Sequence, residues 1–468
     1  MRFELIFLLA LACLCGAARG NSNGPYLLCS KDSMFNCSCT PETQPMVLCD
    51  NVRNDKTNYR LRSANVIFPE DFKPALVHLR NCDISELDGD ELFPENKKDL
   101  VELDLSENHI SHLGKDAFQG MTNLNVLRLS HNQIHRLRKD ENPFHDDLMQ
   151  LHKLYLDYNT IEQLPENVFK GLKNLNTLVL DGNVGIRITK ELFKGLDFLE
   201  QLSLDYCDLQ RLEADVFSYL INLKGLSLRG NIFDEVPAAV NSLQKLEKLD
   251  MSYNNVAEIN DRAFRSDSML EELIMTDQRY MYVIGNCAFC DLKNLKTVNF
   301  NNSKALNSIH RNAFGSFAKP DEQPNKLAHV NMAHCSISEI DEHLLDFDSL
   351  ETFRLEGNPL NCTCKTDFLS DVKFTDTPRC QYPARFENVK VRDATNMCGI
   401  NMNRMFESYF LVFWMCVLFT GASLFIVKGR CINAFYKADM PHIGYSNLTA
   451  RTDDDQKQLQ NDFDPVNV

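Results

Sequence analysis

The sequence has no H-E-x-x-H pair, no G-x-S-x-G in a strand-turn-helix setting and no glycine loop shaped to cradle a phosphate. These absences leave metalloprotease, serine hydrolase and nucleotide-binding chemistry without support, and twelve scattered histidines restore none of it. The chain therefore reads as a non-enzyme that calls for no cofactor. Basic charge is also scarce: 49 Lys and Arg stand against 65 Asp and Glu, a net charge of -16. Binding phosphates needs a basic face, so a nucleic-acid partner is excluded. Long apolar runs are missing too, save for one near each end.

The first of these, in "MRFELIFLLALACLCGAARG", has a basic Arg2, an apolar stretch from Leu5 to Cys15 and small residues after it. Such a stretch is too short to cross a hydrocarbon layer of about 30 Å and has the form of a cleavable secretory signal. The second, "YFLVFWMCVLFTGASLFIV", runs uncharged from Tyr409 to Val427. At about 1.5 Å per residue it reaches roughly 28 Å and can span. Lys428 and Arg430 follow at once, which puts that flank in the cytoplasm. A plasma-membrane protein of single-pass type I topology follows, with its N-terminus outside.

Between the two runs one pattern recurs. "LVELDLSENHI", "LNVLRLSHNQI", "LHKLYLDYNTI" and "LNTLVLDGN" all read L-x-x-L-x-L-x-x-N. Leading leucines stand at Leu100, Leu124, Leu151, Leu175, Leu199, Leu223, Leu246, Leu270, Leu295, Leu327 and Leu350, and a degenerate copy, "ALVHLRNCDISEL", precedes them. Most steps are about 24 residues. The longer ones, after Leu124 and Leu295, carry polar inserts such as "KPDEQPNK" that read as loops.

In L-x-x-L-x-L the x-L-x part predicts one short strand per turn, with leucines inward and the x residues outward. Stacked strands then make a parallel sheet on a concave face, since no turn could bury its apolar side alone. The asparagine points inward, where it can satisfy backbone groups of neighbouring turns. Phe118, Phe169, Phe193, Phe217, Phe264, Phe289 and Phe314 are expected to fill the convex side.

With this motif, residues from about 29 to 398 resemble the ectodomain of extracellular leucine-rich-repeat proteins with a single transmembrane helix and cysteine caps. The resemblance implies an α/β solenoid, a horseshoe with a parallel concave β-sheet. Its divisions are a signal peptide (1–20), an N-terminal cysteine cap (21–60), about 11 to 12 repeats (61–358), a C-terminal cap (359–398), a juxtamembrane connector (399–408), the spanning helix (409–427) and a cytoplasmic tail (428–468). Cap spacing alone allows three pairings at each end; the family's pairing implies Cys29 with Cys39, Cys37 with Cys49, Cys362 with Cys380 and Cys364 with Cys398. Zinc is the competing use of a C-x-C pair, but a secreted chain favours disulfides. Cys287 and Cys290 are read as a short local disulfide, with a redox C-x-x-C as the lesser alternative. Cys82, Cys207 and Cys335 stand in the asparagine column and are expected to be buried small hydrophobes.

Sequons at Asn36, Asn301 and Asn361 are expected to be glycosylated; Asn447 should be cytoplasmic and unmodified. A sugar at Asn301 would leave the repeats from about Leu100 to Leu246 as the more accessible surface. There Asp157, Asp181 and Asp205 share one register, with Tyr155, Tyr158 and Tyr206 beside them. Carboxylates and aromatics on a rigid curved sheet suit a basic protein partner, though such residues also serve merely to solvate strand ends. Calcium is a weaker use of those carboxylates, because it needs six to eight oxygens.

The tail, only 41 residues after Val427, is too small for a signalling domain. Tyr445 to Leu448 fits a Y-x-x-Φ sorting motif, Tyr445 with Asn447 fits a phosphotyrosine motif, and Cys431 is placed for palmitoylation. Val466 and Val468 are spaced as in C-terminal ligands of PDZ domains, so a cytoplasmic adaptor or PDZ protein is a candidate partner. The resemblance implies cell-surface recognition, as an adhesion molecule, receptor or co-receptor, of an extracellular protein or a like molecule through the concave face. Innate immune recognition of microbial ligands is the rival and would call for an apolar pocket or a broad basic patch. A matrix-organising anchor is the third reading.

Overall fold

The computed structural model describes residues 26–398, apart from 32, 36, 42, 52–60, 62–64, 88–92, 94–96, 138–139, 262, 265–267, 317–325 and 395–396. The signal peptide, connector, spanning segment and tail, with Tyr445, Leu448, Val466 and Val468, lie outside the described residues, as do the sequon at Asn36 and most of the polar insert. Among the described residues no helix is long and apolar enough to cross a membrane.

Among the described residues fourteen strands form one continuous sheet. Its first pair, Ser38–Thr40 with Met46–Asp50, is antiparallel. From Met46 onward every neighbour is parallel, one strand per turn, ending at Thr352–Arg354. The register is strict: Leu154 faces Leu178, Leu178 faces Leu202, Leu202 faces Leu226 and Leu226 faces Leu249. Strand alternation explains why, because the central leucine of each strand is buried while its two neighbours look outward. A second inward column, Leu129, Leu156, Leu180, Leu204 and Leu228, is wholly buried, and Met251, Met275 and Phe300 continue it in the later turns.

The α/β expectation is corrected: the described residues carry no α-helix and form a parallel β-solenoid. In place of helices the back of each turn closes in steps of three residues, as where Ala117, Gln119, Met121 and Leu124 donate to Gly114, Asp116, Phe118 and Met121. A turn of about 24 residues must leave the strand, cross the core and return, which leaves too little chain for a regular helix. Short 3₁₀ segments such as Lys190–Phe193 and Ala238–Ser242 are what fits. Partway round the back a few turns pair again, as in Glu258–Ile259, Val283–Ile284 and Ser308–Ile309.

The expected phenylalanines are buried behind the sheet and pack ring to ring between turns in tilted pairs, Phe193 with Phe217 at 5.7 Å and Phe289 with Phe314 at 4.9 Å. Phe144, inside the longer step after Leu124, joins the same row between Phe118 and Phe169. Each such pair adds about 0.5 to 1.5 kcal/mol beyond the area it buries.

The asparagine column bonds the turns together. Asn183 donates from Nδ2 to the carbonyls of Leu156 (3.0 Å) in the preceding turn and Leu180 (2.8 Å) in its own, while its Oδ1 accepts the Ile161 N–H (3.0 Å). Asn108, Asn132, Asn159, Asn231, Asn254 and Asn358 repeat the arrangement. Cys207 takes the same place: it is fully buried, and its thiol lies 3.4 Å from the carbonyls of both Leu180 and Asp205. A thiol is a poor substitute for the amide oxygen, however, and here the N–H of Gly185 turns to the backbone carbonyl of Cys207 (2.9 Å). Gly185 has a positive φ of 80°, which a glycine reaches without steric cost. Burial pushes the Cys207 thiol up to about 12 and that of Cys335 to about 11, so neither forms the reactive thiolate near neutral pH.

The structure joins Cys29 to Cys39, Cys37 to Cys49, Cys287 to Cys290, Cys362 to Cys380 and Cys364 to Cys398. The first two flank the antiparallel strand that covers one edge of the sheet. The last two hold the segment whose Phe368 and Phe374 extend the aromatic packing of Phe347 and Phe353 beyond the last strand.

Removing one amide should therefore cost more than removing one thiol. Asn183→Ala strands the buried Ile161 N–H and takes one hydrogen bond each from the carbonyls of Leu156 and Leu180, which keep only Asn159 and the weak Cys207 thiol as donors, and is expected to lower stability by about 2 to 4 kcal/mol. Cys207→Ser, which keeps a small donor, should cost less than about 1.5 kcal/mol. Urea unfolding of the purified protein followed by circular dichroism checks both; equal losses would mean that the column is merely space-filling.

Candidate functional site

Just past each strand the backbone reverses so that the asparagine can point inward. The residue before the asparagine column carries that reversal, and in twelve turns its φ is positive: Asn81, Glu107, His131, Tyr158, Gly182, Tyr206, Gly230, Tyr253, Asp277, Asn302, His334 and Gly357. A left-handed conformation costs a non-glycine residue about 1 kcal/mol or more. It is held here because each N–H reaches the next turn, Tyr158 to the Asp181 carbonyl (2.6 Å) and Tyr206 to that of Arg229 (2.8 Å). The side chain of this column is thereby aimed out along the edge of the sheet.

Asp157, Asp181 and Asp205 occupy one register, immediately before that column, and all three are half-buried. They bracket successive turns. Asp157 accepts from the Ser130 hydroxyl (2.6 Å), Asp181 accepts the Asp205 N–H (2.8 Å), and Asp205 accepts the Ser227 hydroxyl (2.5 Å) and the Arg229 N–H (2.8 Å) on one oxygen. Burial pushes Asp205 up to about 6, with the charges of Asp181 and Asp250 adding, against the bonds from Ser227 and Arg229. Asp181 is raised in the same way, burial first.

Tyr155 lies one column inward, on the strand itself, with the Arg128 guanidinium 4.2 Å from its ring centre. Tyr158 and Tyr206 stand in the left-handed column and are 45% and 41% exposed, so they are presented where the aspartates are not. The floor beside them, Thr177, Val179, Gln201, Ser203, Gly225 and Ser227, is uncharged. Exposed ion pairs such as Lys224 with Glu200 and Lys248 with Glu272 flank it and contribute little to stability. Asn301 falls in the aspartate register four turns beyond Asp205 and is half-buried; Asn361, beside Cys362, donates to Glu339 (3.3 Å).

Several residues of this edge were not singled out from sequence. His131 stacks on Tyr158 at 4.6 Å, Tyr253 is as exposed as Tyr158, and Arg229 reaches between Tyr206 and Tyr253. Aligning the turns on the asparagine puts all of these aromatics in one column, which was the available signal. Its glycines, with Asn81, Asn302 and Asp277, are types that favour a positive φ, but its tyrosines are not.

The raised Asp205 has a definite sign. Its proton is held more tightly in the folded state than in the unfolded chain, where an aspartate titrates near 3.9, so it costs stability as pH rises through about 4 to 6 and the full cost stands above 6. Asp205→Asn keeps an oxygen for Ser227 and Arg229 and removes the charge. The variant is expected to be more stable than the wild type by about 1 to 2 kcal/mol at pH 7.5, a figure reduced for partial solvent screening, with the advantage fading toward pH 4. Thermal unfolding across that range checks it, and an advantage that does not depend on pH would contradict it.

Two repeat families match the chain. The leucine rich repeat family matches residues 98–141 and 149–209, and the BspA type leucine rich repeat region (6 copies) matches residues 186–319 and 258–366. No curated protein matches. Among solved structures, an internalin from Listeria monocytogenes is similar at 17% identity and a TM-score of 0.45, over 62% of this chain and 76% of that one. The repeated L-x-x-L-x-L-x-x-N, the one-strand turns it builds and the two family matches agree: this chain is a leucine-rich-repeat protein.

Proposed function

We propose that the chain is a single-pass cell-surface recognition protein that binds an extracellular protein through the open face of its sheet and the adjoining turn edge. The observation that carries this is the surface itself. Small uncharged residues of the middle strands form a low floor, bounded by charged rungs on the strands and by exposed tyrosines on one edge. A broad face with a few aromatic anchors and a polar rim suits a macromolecule, whereas small ligands favour deep enclosed pockets. Leucine-rich-repeat domains commonly mediate protein recognition and are typically non-enzymatic, which supports the same reading. The membrane placement rests on residues 1–20 and 409–427, with the basic flank at Lys428 and Arg430. Adhesion, receptor and co-receptor roles all use this one act of binding.

The test displays the full chain on animal cells with a tag after residue 20 and another at the C-terminus. The expected result is that antibody reaches only the first tag on intact cells, and that the cells capture a protein from a panel of secreted and surface proteins or adhere to one another. Exposure of both tags, or strong binding to lipid with no protein partner, would overturn the proposal.

A further inference from the structure

Along the turn edge, tyrosine alternates with glycine: Tyr158, Gly182, Tyr206, Gly230, Tyr253. All five are left-handed. The alternation is steric, because a Cβ on Gly182 would collide with the Tyr158 ring, and one on Gly230 with the Tyr206 ring. The rings of Tyr158 and Tyr206 therefore lie across the glycine of the next turn. Two residues beyond the glycines stand the exposed Val184 and Ile232; the equivalent places in the tyrosine turns are the polar Thr160, Asp208 and Asn255. The result is an aromatic and aliphatic stripe over five turns, about 19 Å long at a strand spacing near 4.8 Å.

The stripe consists of two equivalent intervals. In the second, Tyr206 to Tyr253, the register just before Gly230 holds Arg229, whose Nε donates to the Tyr206 hydroxyl (3.2 Å) and whose guanidinium lies 4.6 Å from the Tyr253 ring centre. In the first, Tyr158 to Tyr206, the same register before Gly182 holds Asp181, with Asp157 and Asp205 on either side and Asp208 exposed nearby. One interval thus brings its own guanidinium between two tyrosines, and the other places a carboxylate where that arginine would arise.

We propose that the Tyr158–Gly182–Tyr206 interval is a docking site for an arginine side chain presented by a protein partner. The Tyr158 hydroxyl and the Tyr206 ring face would receive the guanidinium as the Tyr206 hydroxyl and the Tyr253 ring face receive Arg229, and Asp181 and Asp205 supply the opposite charge. Val184 offers apolar contact to the methylene stem of that side chain. The site deepens the proposed protein recognition and rests on it; a partner that binds the sheet floor without using arginine would defeat this inference and leave that reading intact.

The experiment measures binding of the purified full chain to an immobilised (Gly-Arg)4 peptide and to its citrulline counterpart, which has the same shape without the charge. Tighter binding of the arginine peptide, by about tenfold, is expected. Asp181→Arg, which copies the second interval into the first, should remove most of that preference, and Tyr206→Leu should reduce it by about threefold to tenfold. Glu213→Gln, an exposed carboxylate outside the stripe, should leave it unchanged. Melting temperatures identify any variant that fails to fold, and Tyr158→Leu then serves as the second aromatic test. Equal binding of both peptides, or a loss in Glu213→Gln as large as in Tyr206→Leu, would overturn the proposal by reducing the attraction to general acidity.

Discussion

Each turn shares a row of leucines with its neighbours, but apolar contact is non-directional and does not dictate which strand residue faces which. The side-chain amide of the asparagine column does. By donating to a carbonyl of the turn before and one of its own, and by accepting an N–H across the gap, Asn159 or Asn183 allows one register only. To place that amide inside, the preceding residue must turn left-handed, and a left-handed residue throws its own side chain outward along the edge. The presentation of Tyr158, Tyr206 and Tyr253 to solvent is thus a consequence of what holds the core together.

Much of this was legible in advance because it depends on period. The leucine columns, the inward asparagine and the buried thiols in its place all follow from phase within a repeat, and Cys207 lies where its phase puts it. What was not legible depends on local geometry with no composition of its own. Tyrosine and histidine are not residues that announce a positive φ, so the outward column is not legible at those turns even though its members line up. Phe144 was hidden by the irregular step that contains it, and the back of the turn is too short to be helical in a way that its residue types do not reveal.

The aspartates show how the same chemistry divides between scaffold and surface. Their register suggested a row of charges offered to a ligand, yet each accepts hydrogen bonds from within the stack, and Asp205 sits deep enough to hold its proton to about 6. Carboxylates so placed act through their field as much as through contact, attracting cations to an edge whose touching groups are aromatic. Late in the array the pattern loosens: Gln278, Ser303 and Cys335 replace asparagine, and the polar insert near residue 320 interrupts the spacing. The regular edge and the irregular one are therefore different surfaces of a single sheet.

Alternation of a ring with a bare backbone has a parity. As they lie, Tyr158 covers Gly182 and Tyr206 covers Gly230, so gaining or losing one turn between Tyr158 and Tyr253 would set ring against ring, as His131 already meets Tyr158, or leave a glycine uncovered. Gaining or losing two would restore the match. Repeat proteins are usually pictured as lengthening one unit at a time; between Tyr158 and Tyr253 the alternation survives only steps of two.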